Sequence, residues 1–196
     1  MRLELPFFQR DSITLAQELL GKLLVREIDG VKIVTKIVET EAYMGAEDKA
    51  AHSYNNRRTP RTEVMFGRAG IAYVYIIYGM YYCLNIVAAK EGIPQAVLIR
   101  GVEPIEGLDI LRKNRIIKSK KIQDLTNGPG KLCQALNIDK TLNGSDLILD
   151  NKLYIIDNKE KHETISAKRI NIDYAGEYKD KLWRFYIKDN IYISKK

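Results

Sequence analysis

Two glutamates and a tyrosine alternate along one short segment of this sequence, as Glu39, Glu41 and Tyr43. The preceding residues 32–38 are rich in β-branched side chains, which favour a strand. Because successive side chains of a strand point to opposite faces, we expect all three to lie on one face. A carboxylate beside an aromatic ring is typical of glycoside hydrolysis, where it stabilises an oxocarbenium-like transition state, attacks it or activates water. The alternative role is a structural ion pair with a nearby arginine.

Local patterns predict the elements that position this segment. Asp11 and Gly21 mark the start and the end of a short amphipathic helix. Residues 23–28 and 31–41 are strand-like runs joined by Asp29-Gly30, the dipeptide preferred in a type I′ hairpin turn. Residues 44–70 are polar, so we expect a long ordered loop, and such loops are often functional. The loop carries four arginines: Arg57, Arg58, Arg61 and Arg68.

Residues 73–85 are rich in tyrosine and predict two strands that turn at Tyr78-Gly79. A turn at this point puts the large ring of Tyr78 at the tip of a hairpin, away from any core. The neighbouring Tyr73, Tyr81 and Tyr82 are expected to serve cross-strand packing.

The remaining chain predicts further hairpin strands and short helices, which favours an α+β domain over regular βαβ units. A helix is expected near residues 107–114. The run 112–121 is basic at six of ten positions and is typical of a solvated linker. Asn127 is expected to cap a helix that contains Lys131, whose N-terminus can take a phosphate. The further predicted strands are residues 95–100, 153–156, 169–174 and 183–187.

The composition of the chain indicates which kinds of partner and cofactor the protein can have. The 196 residues suit one domain, 1–196, and 32 basic against 25 acidic side chains leave a net charge of +7. This charge favours an anionic partner such as nucleic acid, although charge for solubility is the alternative. Cys83 and Cys133 are too few for a disulfide framework or a zinc site, so we expect buried thiols and no metal. The N-terminus has no secretory signal pattern and no segment is long enough to span a membrane, so we expect a protein that is not secreted.

A basic protein with a sugar-hydrolysing site suggests a nucleic acid as substrate. Hydrolysis of the bond between a base and deoxyribose in a duplex requires that the nucleotide be flipped out, its base stacked on aromatic rings and the gap filled. Tyr43, His52 and Tyr78 have the side chains for these tasks. His52 alone would more often be an ordinary loop histidine.

The sequence resembles the alkyladenine (3-methyladenine, or 3-methylpurine) DNA glycosylase family over nearly its whole length. The motifs that carry the resemblance are ETEAY at 39–43, ED at 47–48, AHS at 51–53, TPR at 59–61, YVYIIYGM at 73–80 and NGPGKL at 127–132. The resemblance implies a single-domain roll with a curved, mostly antiparallel sheet, a protruding β-hairpin and flanking short helices. It also implies base excision repair by a monofunctional glycosylase, without cofactor or metal.

The resemblance implies a role for each matching residue. Glu41 would be the base that activates water, supported by Glu39, and Arg100 would hold the water and the flipped nucleotide's phosphate. The excised base would stack between Tyr43 on one side and His52 and Tyr75 on the other. The His52 main chain would read the purine edge, and Asn85 would disfavour the amino group of guanine. Tyr78 would intercalate, and Arg57, Thr59 and Lys131 would contact DNA phosphates.

The implied partner is double-stranded DNA that carries damaged purines, such as 3-methyladenine, hypoxanthine or ethenoadenine, bound by a monomer. The implied location is the bacterial cytoplasm, with the nucleoid, or a eukaryotic nucleus. Two alternatives remain: a nucleic-acid-binding module without catalysis, and a bifunctional glycosylase that forms a Schiff base through a lysine. No lysine lies in the matched pocket motifs. The sequence departs from the family pattern at Tyr178, Leu182 and Gly101, which leaves local packing open.

Overall fold

The computed structural model describes residues 1–195. Four short α-helices are present: α1 (Leu5–Phe8), α2 (Ser12–Glu18), α3 (Leu108–Asn114) and α4 (Pro129–Ala135). Eight strands form one sheet: β1 (Leu23–Ile28), β2 (Val31–Tyr43), β3 (Ala72–Ile77), β4 (Tyr81–Ala88), β5 (Gln95–Glu106), β6 (Leu153–Ile156), β7 (Thr164–Ala167) and β8 (Arg184–Ile187). Short 3-10 helices are Gly45–Glu47, Tyr54–Asn56, Glu63–Phe66, Ile122–Leu125, Lys140–Leu142 and Asp173–Asp180.

The sheet is antiparallel at each of its pairings and runs in the order β3-β4-β5-β2-β1-β6. One edge of β2 pairs with β5 along most of its length. The other edge is shared, because β1 pairs with the first half of β2 and β8 pairs with residues 39–41. The second half of β2 is therefore enclosed on both edges. Helices α2 and α4 pack on the sheet, and the predicted α+β class with a curved antiparallel sheet is confirmed.

Both predicted hairpin turns are present. Asp29 and Gly30 have φ angles of 49° and 77°, as a type I′ turn requires. Tyr78 and Gly79 have φ angles of 53° and 68° between β3 and β4, and the Met80 amide donates to the Ile77 carbonyl at 3.2 Å. Helix α2 is capped as expected, since the Asp11 carboxylate accepts from the Ile13 and Thr14 amides.

Two local predictions are wrong. Residues 169–174 do not form a strand, because Asn171 adopts a left-handed φ of 59° and the Ile170 amide donates to a side chain instead of a strand ladder. The helix cap expected at Asn127 is instead Gly128, which has no side chain to cap with. No helix within residues 1–195 has the length and apolar character needed to cross a membrane.

Candidate active site

The two glutamates of β2 lie side by side in the interior, and both are fully buried. The pairing of β2 with β5 is irregular here, because Glu39 pairs with Gly101 while Thr40 pairs with Ile99. Arg100 is left unpaired between them, and such a bulge redirects a side chain. The Arg100 guanidinium consequently reaches both carboxylates, with Nε 3.2 Å from Glu39 Oε1 and Nη1 3.3 Å from Glu41 Oε1.

Glu39 is held by groups that satisfy both of its oxygens. Arg184 Nη1 lies 3.0 Å from Oε1, and the Ser194 hydroxyl donates to the same oxygen at 2.9 Å. The Ser194 amide donates to Oε2 at 2.6 Å. With Arg100, four donors surround this carboxylate, so Glu39 connects the C-terminal segment and Arg100 to β2.

Glu41 has fewer partners, and they lie at a cavity. The Ile170 amide donates to Oε1 at 2.8 Å, and the Tyr43 hydroxyl donates to Oε2 at 2.8 Å. Burial, reinforced by the charge of Glu41, raises the pKa of Tyr43 well above its ordinary value, so the phenol keeps its proton and donates. Burial opposes the charge of Arg100, but Glu41 and Glu39 outweigh it and raise the pKa of Arg100. Glu41 therefore sits beside a permanent cation.

A buried ion pair positions the Ile170 amide. Arg169 contacts Asp48 through two bonds of 2.5 and 2.9 Å, and both side chains are fully enclosed. The Arg169 guanidinium also stacks on Tyr43 and Trp183, at 4.8 and 5.0 Å from the ring centroids. This contact holds the segment after β7 against the end of β2, which brings Ile170 to Glu41.

The cavity at this place has a volume of about 400 Å³. That volume falls in the range of roughly 300–1,000 Å³ typical of small-molecule pockets. Arg100 and Ile170, which both contact Glu41, belong to its wall. The wall is strongly aromatic, with His52 and six tyrosines: Tyr43, Tyr73, Tyr75, Tyr78, Tyr81 and Tyr174. A flat aromatic ligand can stack in such a cavity with its edge toward polar groups.

His52 presents an uncharged ring to this cavity. Burial, together with the nearby cations Arg61 and Arg57, lowers the pKa of His52 to about 4. Its Nδ1 lies 2.9 Å from the Tyr73 hydroxyl, and burial raises the pKa of Tyr73 to about 12. The ring packs edge-on against Tyr75 at a centroid distance of 4.6 Å. Both groups of the hydrogen bond are thus neutral near pH 7.

Asn85 lies on β4 at the cavity wall and is 4% exposed. Its Nδ2 donates to the Tyr73 carbonyl at 3.2 Å, which orients the amide. Cys83, on the same face of the strand, is buried, and burial raises its pKa to about 11, so it stays a thiol. Cys133 is likewise a free, buried cysteine, as predicted.

The residues predicted to contact DNA lie around the cavity mouth. Tyr78, at the hairpin tip, is 74% exposed although it is a large aromatic. Arg57 and Thr59 line a smaller cavity of about 310 Å³ that shares His52 and Arg61 with the first. Lys131 is on α4, and its Nζ donates to Asn127 Oδ1 at 2.7 Å. Six of the ten predicted site residues line the first cavity: Tyr43, His52, Tyr75, Tyr78, Asn85 and Arg100. Glu41 is buried behind this wall in contact with Arg100, and Lys131 follows Pro129 and Gly130 of the wall along the chain.

Sequence reasoning missed three contributors. Ile170 acts through its main-chain amide, which no residue type reveals. Arg184 reaches Glu39 from a strand 145 positions away along the chain. Arg61, which the sequence analysis named in the loop and in the TPR motif without a role, lies over the Tyr75 ring at 5.1 Å and lines both cavities. Within residues 1–195, no group of three His, Cys, Asp or Glu residues is arranged to hold a metal ion.

Comparisons with known proteins show similarity over nearly the whole chain. The family model described as methylpurine-DNA glycosylase matches residues 6–191. A protein of Clostridium novyi is 57% identical over 201 residues, covering 100% of this chain and 99% of its own length. A protein of Natranaerobius thermophilus is 54% identical over 196 residues, with 99% of each covered. Both carry a provisional name, 3-methyladenine DNA glycosylase.

Proposed function

Because this chain belongs to the methylpurine-DNA glycosylase family, we propose that it is a DNA glycosylase of base excision repair. It hydrolyses the N-glycosidic bond of a damaged purine in duplex DNA and leaves an abasic site. The substrates are purines such as 3-methyladenine, hypoxanthine and ethenoadenine. The matched relatives are bacterial, and we place the activity, as a monomer, on chromosomal DNA in the cytoplasm.

The observation that carries the proposal is Glu41, a buried carboxylate that contacts Arg100 and Tyr43 in the wall of an aromatic cavity. Among residues 1–195, the Tyr43 hydroxyl alone donates to Glu41 Oε2, so a second lone pair of this oxygen can accept a proton. We propose that a water held by Glu41 and Arg100 together attacks C1′ of the flipped nucleotide. The C–O bond forms as the C–N bond breaks, the water proton passes to Glu41, and the base leaves with the electron pair. A cationic 3-methyladenine leaves as a neutral molecule.

The cavity supports recognition of an extruded purine. Tyr43 stacks on one face of the base, and His52 with Tyr75 covers the other. A neutral His52 suits this role, because a cationic ring would repel a cationic alkylated purine. The His52 main-chain amide donates to the purine edge. Asn85 stands where the amino group of guanine would lie, and its fixed amide disfavours normal guanine.

The surface around the cavity supports binding of the duplex. Tyr78 enters the base stack and fills the gap left by the flipped nucleotide, which offsets part of the few kcal/mol that unstacking costs. Arg57, Thr59 and Lys131 contact phosphates. Since each neutralised phosphate contributes about −0.9 to the log–log salt slope, binding should weaken steeply with salt.

Excision assays on duplexes with one defined lesion test the proposal. We expect release of the free base and an abasic site on an intact strand, with no loss of activity in chelator. Binding without turnover across the whole lesion panel would favour the alternative of a nucleic-acid-binding module. A protein–DNA adduct trapped by borohydride would instead show a lysine imine and a bifunctional enzyme.

A further inference from the structure

The β3–β4 hairpin has two faces, and only one of them belongs to the base cavity. Tyr75, Ile77, Tyr81 and Cys83 face that cavity. On the opposite face, Met80 and Tyr82 border a separate groove of about 470 Å³. Its far wall is formed by residues 114–116 and by α4. The hairpin thus stands between the base cavity and this groove.

The groove leads directly to the basic run, residues 112–121. Arg115 anchors the run, because its Nη1 donates to the Asp124 carbonyl at 2.7 Å and its Nε to Gln134 Oε1 at 3.2 Å. The exposed lysines of the run have no ion-pair partner among residues 1–195: Lys113, Lys118, Lys120 and Lys121. The run contains no acidic residue. Asp124 lies beside the run, where a hydrogen bond from Ser119 and, less strongly, the charge of Lys121 lower its pKa, and it also accepts from the Asn127 side-chain amide. Asp139 accepts from Thr141.

Two large apolar side chains are exposed at the same place. Ile116 is 91% exposed and Met80 is 63% exposed, and both border the groove. Single exposed apolar residues are common, but here they stand between a row of unpaired cations and the hairpin tip. A partner that is both anionic and partly apolar at its surface satisfies both groups. A phosphodiester backbone has these properties, through its phosphates and its sugar carbons.

We propose that residues 112–121, with Met80, bind the DNA backbone of the duplex flank that lies beyond the intercalating tip, away from the base cavity. The proposal rests on the proposed function, since it requires Tyr78 to enter the stack. Because the hairpin separates the two faces, Arg57 and Thr59 serve the DNA on the cavity side, and the basic run serves the opposite flank. The run is then a second DNA-binding site, and it holds the duplex on the other side of the intercalating Tyr78 from Arg57 and Thr59.

The test compares two triple variants of the full chain. The first combines Lys118→Gln, Lys120→Gln and Lys121→Gln. The matched control combines Lys32→Gln, Lys159→Gln and Lys161→Gln, which removes the same charge from exposed lysines outside the groove. Binding is measured over a range of salt concentrations on duplexes that contain a stable abasic-site analogue, lengthened stepwise on one flank at a time.

Wild type should gain affinity when either flank is lengthened. The first variant should lose that gain on one flank only, and its log–log salt slope should be shallower by about 2.7, because each of three contacts contributes about 0.9. The control variant should keep both gains.

Three results have different meanings. If the slope of the first variant changes by less than about 0.9, the value of one phosphate, the run does not bind DNA and the inference is overturned. An equal loss in both triple variants also overturns it, since only net charge would then matter. If wild type neither binds nor excises lesion DNA, the proposed function itself fails.

Discussion

Replacing Tyr78 by Asn should separate the stability of the hairpin from its action on DNA. Tyr78 and Gly79 both have positive φ, and Asn-Gly is a preferred dipeptide for such a turn. A left-handed conformation costs most L-residues roughly 1–2 kcal/mol, a cost that Asn largely avoids. Tyr78 is 74% exposed, so the quarter of the ring that packs is worth only about 1 kcal/mol at 25 cal/mol per Å². These two effects oppose each other.

The free energy of unfolding of Tyr78→Asn should therefore stay within about 1 kcal/mol of wild type, and Tm within about 4 °C. The effect on DNA should be much larger. Insertion into the stack buries about 150 Å² of ring surface, which sets an upper bound of about 4 kcal/mol. Ordering the side chain and desolvating its hydroxyl offset part of this free energy of burial. We therefore expect excision of a paired lesion to fall about 10- to 100-fold.

Single-turnover excision with subsaturating protein measures this effect on paired duplex and on single-stranded DNA that carry the same lesion. Single-stranded DNA needs less unstacking and should lose less activity. Tyr78→Phe is the matched control, since it keeps the ring and should retain most of the activity. The reasoning is refuted if Tyr78→Asn excises the paired lesion as fast as wild type. It is equally refuted if Tm falls by much more than 4 °C, because the ring would then be part of the packing.

Three further predictions concern the site. Glu41→Gln should lower excision by about 10²- to 10⁴-fold with lesion binding retained, whereas Glu39→Gln should chiefly lower Tm; the reverse order would transfer the role of base to Glu39. The pKa of His52 is about 4 in the folded protein and 6.5 in the unfolded chain, so the unfolded state binds more protons between these values. The free energy of unfolding should therefore decrease as the pH is lowered from 6.5 to about 4. Denaturant titrations should show a weaker decrease for His52→Gln, and an identical decrease would contradict this. Gly101→Ala should destabilise the protein by about 1–3 kcal/mol, because the added Cβ would lie 2.7 Å from the Tyr192 carbonyl oxygen. An unchanged Tm would show that the C-terminal segment can move away from the new methyl group without cost.

Features that depend on near neighbours along the chain could be predicted from the sequence. The Asp29-Gly30 turn, the exposed tip at Tyr78 and the strand that carries Glu39 and Glu41 follow from backbone preferences and from alternation over a few residues. The α+β class follows from the succession of such hairpins. The motifs also pointed to the correct family, because they span nearly the whole chain.

The residue pattern alone does not distinguish the two glutamates, and the tertiary structure shows that their surroundings differ. On one strand face, Glu39 and Glu41 are equivalent, and both could be ion-paired. Glu39 is satisfied by Arg184 and Ser194, which lie 145 and 155 positions away along the chain, and Glu41 meets the cavity through partners that include the Ile170 amide. The pattern of residues 169–174 predicted a strand, but a buried ion pair and a left-handed Asn171 override it. Such contacts join distant segments, and a main-chain donor carries no signature of its own, so local patterns do not encode them.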